Sequence, residues 1–358
     1  MYKIGENITI DQAFTDRLHF IDVRSPSEYA EYHLPHAKNL PIFSDEERKK
    51  VGTLYKQVGK DVAIKAGIEI FSNKMPYFYD QLAEWSKDQV PMVVYCARGG
   101  MRSKSIVSTF SALNLPLMQL NGGIRSYRKW IVDYLNHGSF IDKPFIVLEG
   151  HTGTLKTDIL EQLQNEGYPV VDLEGMAGHR GSIFGHIGLE PVSQKKFEAR
   201  LSHRLGELEA APFIIIEGES RRIGKVVLPE IFMKKKEQGI RLHVDMPLKD
   251  RVKNILETYP VERDEVAFEE AVNHLSKYLT PIKKKQIFET FHRKEYDVLV
   301  EDLLMSYYDP RYSYKIDDES QKISFFYTSF SEGYGMIKDW LDEYLLKKSL
   351  TLQERGGH

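Results

Sequence analysis

"PFIVLEGHTGTLKTDILEQL", residues 144–163, reads as a strand, a glycine turn and a helix in immediate succession. Gly150, Gly153, Lys156 and Thr157 fall on the pattern G-x-x-x-x-G-K-[ST]. In that pattern the backbone wraps phosphates, the lysine offers charge and the threonine can reach a magnesium ion. Thr152 and Thr154 complete the set expected to line this phosphate site. Leu155 departs from the pattern, standing where a glycine belongs before the lysine. Its side chain is expected to crowd the loop, which argues against ordinary ATP or GTP hydrolysis.

Downstream, "YPVVDLEG", "PFIIIEGES" and "IRLHVDMP" read as further strands separated by helices. Phe197, Leu201, Leu205 and Leu208 recur at helical spacing and mark one buried stripe. Two charged clusters end strands on the rim where open α/β sheets bind ligands. One is Asp172, Glu174, His179 and Arg180; the other is Glu217, Glu219, Arg221 and Arg222. They are expected to support the phosphate site. Beyond residue 260 the pattern is mostly helical, broken by "YYDPRYSYKIDD" and the strand-like "KISFFYTSF".

Upstream, "HFIDV", "PMVVYC" and "LMQLNGG" alternate with the helical "SKSIVSTFSAL" and "IRSYRKWIVDYL", an order that predicts an open α/β sheet. "NHGSFIDKP" reads as a linker. The chain therefore divides into residues 1–138 and residues 139–358, the second with a helical C-terminal extension. Its 49 basic and 52 acidic residues give a net charge of −3, so no global basic field coats nucleic acid. A local basic surface reading one RNA stays open, with Lys234–Lys236 and Lys283–Lys285 as candidate patches. No apolar run reaches the roughly 20 residues of a membrane helix, and the N-terminus lacks the layout of a secretory signal. A cytoplasmic location and no membrane association are expected.

Cys96 is the one cysteine of 358 residues, so no intrachain disulfide can form. It ends an apolar strand and precedes Arg98, Gly99, Gly100, Arg102 and Ser103. Glycines there let successive N–H groups converge on an anion, and a helix beginning near Ser103 adds its positive end. Those surroundings favour thiolate, hence a nucleophilic Cys96.

This loop, with "IDVRSPSEYAEYHLPHAKNLP" before it, resembles the rhodanese family: Asp22, Val23 and Arg24 at a strand end, Glu28 and Tyr29 opening a helix, then His33, Leu34, Pro35, Ala37, Asn39 and Pro41. Rhodaneses carry sulfur or selenium on the loop cysteine. Cys96 through Arg102 and Ser103 also fits the C-x5-R-[ST] loop of cysteine phosphatases, where the arginine clamps phosphoryl oxygens. No carboxylic acid for the leaving group of that chemistry can be picked out in the sequence.

A rhodanese-type domain followed by a P-loop domain, in nearly the whole chain, resembles the tRNA 2-selenouridine synthases. The likeness rests on "EERKKVGTLYKQVGKDVAI", "CARGGMRSKS", "LNGGIRSYRKW", "GHTGTLKT", "DLEGMAGHRGSIFG", "SQKKFE", "EGESRRIGKVVLP" and "YYDPRY". Ala97 departs from it, since that family commonly has tryptophan after the cysteine. The resemblance implies replacement of sulfur by selenium in wobble-position 2-thiouridine of tRNA. Selenophosphate, supplied by a selenophosphate synthase, is the donor, and geranyl diphosphate is the co-substrate. Cys96, Arg98 and Arg102 are then the expected catalytic residues, Gly99, Gly100 and Ser103 the selenophosphate loop. No tightly bound cofactor or resident metal is expected, although Thr157 could reach magnesium. A sulfurtransferase with a non-catalytic P-loop domain that docks RNA is the alternative.

Overall fold

The computed structural model describes residues 4–180, 189–259, 265–275, 279–313 and 322–355. The Gly181–Gly185 end of the glycine-rich stretch begun at Asp172 lies outside these residues, as does "YKIDD". Two compact units, Met1–Tyr134 and Leu135–His358, make up the chain.

The first unit runs β1 (Asn7–Ile8), α1 (Ile10–Thr15), β2 (His19–Asp22), α2 (Pro26–Glu31), β3 (Lys38–Asn39), α3 (Asp45–Gln57), α4 (Lys60–Trp85), β4 (Met92–Tyr95), α5 (Met101–Ser111), β5 (Leu117–Leu120) and α6 (Ile124–His137). Its strands form one parallel sheet in the order β1-β5-β4-β2-β3. The apolar run of β4 is buried at every residue, as a strand covered on both faces must be. Cys96 thus leaves the C-terminal end of a central strand. Three helices open on sequence-encoded caps. In α1, Thr9 and Gln12 exchange bonds; in α2, Pro26 takes the first turn and the Ser25 N–H donates to Glu28; in α3, Ser44 receives the Glu47 N–H.

Between β3 and β4 the chain makes an α3–α4 hairpin that the sequence pattern did not signal. Lys74 ties it together, donating to Glu47 of α3 and to the Ile42 carbonyl.

The second unit runs β6 (Phe145–Gly150), α7 (Lys156–Asn165), β7 (Val170–Val171), α8 (Leu173–Ala177), α9 (Gln194–Glu207), β8 (Ile214–Glu217), β9 (Arg222–Ile223), β10 (Val226–Val227), α10 (Glu230–Glu237) and β11 (Ile240–Asp245). The helices α11 (Leu248–Thr258), α12 (Glu265–Leu275), α13 (Pro281–His292), α14 (Tyr296–Leu303) and α15 (Asp309–Ser313) follow, then β12 (Lys322–Phe326) and α16 (Phe330–Arg355). The main sheet is parallel, in the order β12-β11-β6-β8-β7, and β9 and β10 form a separate antiparallel pair. On α9 the expected stripe is core: Phe197, Leu201, Leu205 and Leu208 are all buried. The C-terminal helices enclose their own apolar cluster around Leu275, Ile287, Leu299 and Leu303.

The expected linker is more ordered than its turn-rich composition suggested. Ser139–Asp142 is a 3-10 turn, and Phe140 is fully buried beside Phe232. An aromatic anchor overrides the glycine and proline around it.

Candidate active site

The first loop begins where β4 ends. Cys96 is 3% exposed and its neighbours on the sheet side are apolar. Its sulfur, though, meets donors: the Gly100 N–H and the Ser103 hydroxyl each lie 3.3 Å away. Burial pushes the thiol up. Hydrogen bonds from the Ser103 side chain and from the Arg98 and Ser103 backbone, with the Arg102 charge, outweigh burial and hold it below the ordinary thiol range. Such a sulfur sits at the floor of a donor-lined loop, unlike an inert core cysteine. The loop's outer side is open at Gly100, where an added Cβ would meet nothing within 4 Å.

Two glycines are required by close approach. Gly99 (φ +63) packs on the Leu120 carbonyl and the Gly122 N–H, both 2.8 Å from an added Cβ. Gly123 (φ +57) packs on the Cys96 carbonyl, which such a Cβ would meet at 2.1 Å. Gln119 of β5 braces the loop from below, donating to the Gly99 carbonyl (2.8 Å) and to Ser103 (2.9 Å).

Two expectations change here. The helix starts at Met101 rather than near Ser103, which places Ser103 in its first turn, fully buried against the sulfur. Ser103 therefore tunes the thiol instead of lining an anion site. Arg102 does not stand ready as an anion clamp. Its guanidinium donates to Glu28 at 2.8 and 3.4 Å, and Arg48 lies 3.7 Å from the same carboxylate. Burial raises the Glu28 carboxyl, but the Arg102 hydrogen bond and charge outweigh it and hold the carboxyl low. Arg98, by contrast, is exposed.

The second loop follows β6, the central strand between β8 and β11. Its outward carbonyls are tied down by two residues of α11 and by Tyr327, just after β12. Arg251 of α11 donates to Thr152 O (2.8 Å), Asn254 to Gly153 O (2.9 Å) and Tyr327 to Thr154 O (2.5 Å). Arg251 is 3% exposed and its other nitrogens reach Asp309 at 3.0 and 2.6 Å. Lys156 reaches back over the loop to the Gly150 and His151 carbonyls, 3.0 Å each. Burial lowers the Lys156 ammonium, with Glu217, Glu219 and Glu174 opposing.

Leu155 caps α7 in the left-handed region (φ 60, ψ 25). That is the backbone a glycine would supply here, at a cost of roughly 1–2 kcal/mol for a leucine. Its side chain packs against the apolar cluster of Ile159, Leu160 and Val244. The expected crowding is therefore relieved, because the leucine turns into the core.

At Thr157 the two acidic clusters meet. Its hydroxyl lies 2.9 Å from Glu217 and 3.3 Å from Glu174. Burial raises both carboxyls, and each is raised further by neighbouring carboxylates. The second oxygen of Glu217 is buried without a partner. Asp172 caps α8 through the Gly175 N–H. The remaining expected supports are elsewhere engaged. Arg180 lies over the Tyr259 ring, His179 packs on Gly224, and Arg221 and Arg222 are exposed at β9. The Glu219 carbonyl accepts from Lys236. Gln119, Arg251, Asn254 and Tyr327 escaped the sequence reading. Asp309, inside "YYDPRY", Glu28, at a helix start, Gln119, inside "LMQLNGG", and Tyr327, inside "KISFFYTSF", lay in stretches already singled out; Arg251 and Asn254 did not.

A model of the tRNA 2-selenouridine synthase AAA domain matches residues 143–287, and a model of the rhodanese-like domain matches residues 10–129. The chain is 31% identical over 357 residues to the tRNA 2-selenouridine synthase of Hydrogenovibrio crunogenus, covering 90% of this chain and 94% of that protein. Against the tRNA 2-selenouridine synthase of Nitrosomonas europaea it is 38% identical over 245 residues, 67% of this chain and 63% of that protein. With the protein of that description from Sulfurovum sp. it shares 30% identity over 336 residues, 85% and 90% of the two.

Proposed function

The chain belongs to the tRNA 2-selenouridine synthase family, and on that premise we propose a reaction divided between its two loops. Its substrate is wobble-position 2-thiouridine in tRNA. A thiocarbonyl sulfur is a poor leaving group, so it is first alkylated. The sulfur attacks C1 of geranyl diphosphate, the S–C bond forms, the C–O bond breaks and pyrophosphate departs. Selenium of selenophosphate then attacks C2 of the base. The C2–S bond breaks, the geranyl thiol leaves with a proton from solvent, and hydrolysis of the P–Se bond releases phosphate. A selenophosphate synthase supplies the donor, in the cytoplasm.

The amides of Gly150, Thr152, Gly153 and Thr154 hold the diphosphate, and Lys156 neutralises charge gathering on the departing pyrophosphate. Thr157 and the orphaned oxygen of Glu217 are hard donors that suit magnesium, which would share that neutralisation when bound. No phosphoryl transfer is needed, so the Leu155 variant of the loop suffices. Cys96 handles selenium, with the loop amides at Gly99 and Gly100 and the exposed Arg98 side chain holding selenophosphate, while Ser103 tunes the thiol from below. Arg102 acts as a positioning residue, through its charge on the sulfur and its bond to Glu28.

The observation that carries this reading is the donor-held Cys96 sulfur, kept acidic despite its burial. The test is thermal denaturation with geranyl diphosphate or ATP. A ligand specific to the folded chain raises its melting temperature by mass action. Geranyl diphosphate should raise it and ATP should not. No shift with geranyl diphosphate would favour a sulfurtransferase whose second unit only docks RNA.

A further inference from the structure

The lysine runs of the second unit are tied in. Lys234 pairs with Glu230 (3.0 Å), Lys283 with Asp302 (2.8 Å) and Lys285 with Glu289 (3.8 Å). Lys236 donates to the Glu219 carbonyl and Lys284 lies over the Phe288 ring. These are ordinary helix faces, laced by i,i+4 and tertiary partners.

The α3–α4 hairpin differs. Residues 48–65 hold Arg48, Lys49, Lys50, Lys56, Lys60 and Lys65 against the single acid Asp61, in a chain of net charge −3. The five lysines are exposed, and among the described residues none forms an ion pair. Lys49 and Lys56 stand seven residues apart, so they share one face about 10 Å apart along the helix. Tyr55, the neighbour of Lys56 on the adjoining flank of the helix, is 52% exposed, and Val58 and Val62 are also exposed at the hairpin end. Unpaired cations interleaved with an open aromatic ring make a surface for a polyanion that also presents flat bases.

The surface joins the thiol loop. Arg48, one residue before the lysines, approaches the Glu28 carboxylate that holds Arg102. A strand lying along α3 therefore leads to the loop that holds Cys96.

We infer that the exposed face of the α3–α4 hairpin is an RNA-docking surface, on which Lys49, Lys50, Lys56, Lys60 and Lys65 contact phosphates and Tyr55 stacks on an unpaired base. The inference rests on the reading of the chain as a tRNA enzyme. It deepens that reading by placing the tRNA.

The experiment measures binding of the full chain to a 2-thiouridine-bearing tRNA by fluorescence anisotropy, between about 50 and 200 mM salt. Variants are the five lysines changed to alanine, Tyr55→Ala, and Lys234, Lys235 and Lys236 changed to alanine as control. Each phosphate contact contributes about 0.7–0.9 to the slope of log affinity against log salt. The five-alanine chain should bind at least about tenfold more weakly, with a slope flatter by about 3.5 to 4.5. Tyr55→Ala should weaken binding without flattening the slope, and the control should match wild type. Unchanged affinity and slope in the five-alanine chain, with wild type binding tightly, would overturn the surface but leave the tRNA reading standing. That result would suit an acidic protein partner instead. A wild-type chain that does not bind the tRNA would overturn both.

Discussion

Cys96 is governed by a contest between burial and donors, and Ser103 decides it. Its hydroxyl is the strongest opponent of burial, ahead of the backbone bonds and the Arg102 charge. Ser103→Ala removes that donor and leaves a buried sulfur with fewer bonds. The pH midpoint of thiolate ultraviolet absorbance should move up, and the thiolate fraction at neutral pH should fall. An unmoved midpoint would mean that the loop amides alone hold the charge. The sequence displayed the cysteine, its glycines and its arginines, because they are neighbours in the chain. It could not display that Ser103 bonds the sulfur or that Arg102 is committed to Glu28, a partner 74 positions away.

Among the elements, the parallel strands and the helices that follow them were legible, since buried apolar runs and caps are local signals. The α3–α4 hairpin was not. No residue of α3 is fully buried, and α4 buries only Ala63, Phe78 and Leu82 among those fully covered while carrying Pro76. A helix that hides so little has no apolar stripe to read. The bracing of the phosphate loop was hidden for another reason: Arg251 lies about a hundred positions after the carbonyl it holds and 58 before Asp309. Loop glycines give a sharper test of how tightly the thiol element is packed. Gly123→Ala adds a Cβ 2.1 Å from the Cys96 carbonyl in left-handed backbone, whereas Gly100→Ala meets nothing within 4 Å. The first should raise the Cys96 midpoint and lower the melting temperature. The second should leave both near wild type, and equal effects would contradict the packing described.

For the molecule as a whole, two loops stand at the C-terminal ends of central strands in two parallel sheets. No helix among the described residues is long and apolar enough to cross a membrane. The acidic pair at Thr157 makes stability depend on pH. Both carboxyls are raised above their ordinary 4.5 by burial and by neighbouring carboxylates. A raised carboxyl contributes stability below its unfolded value, and that contribution is lost as pH climbs towards the folded one. Glu174→Gln should therefore melt higher than wild type at pH 8, with the gap shrinking towards about pH 4.5. A gap that widens in acid would show the carboxyl to be ionised and favourably paired.

Mass spectrometry of nucleosides from thiolated tRNA, incubated with selenophosphate and geranyl diphosphate, separates the two loops. Wild type should yield 2-selenouridine. Cys96→Ser should accumulate the S-geranylated nucleoside without selenium, while Lys156→Ala should accumulate neither product and retain 2-thiouridine. Loss of geranylation in Cys96→Ser, or normal geranylation in Lys156→Ala, would contradict the division of chemistry between them.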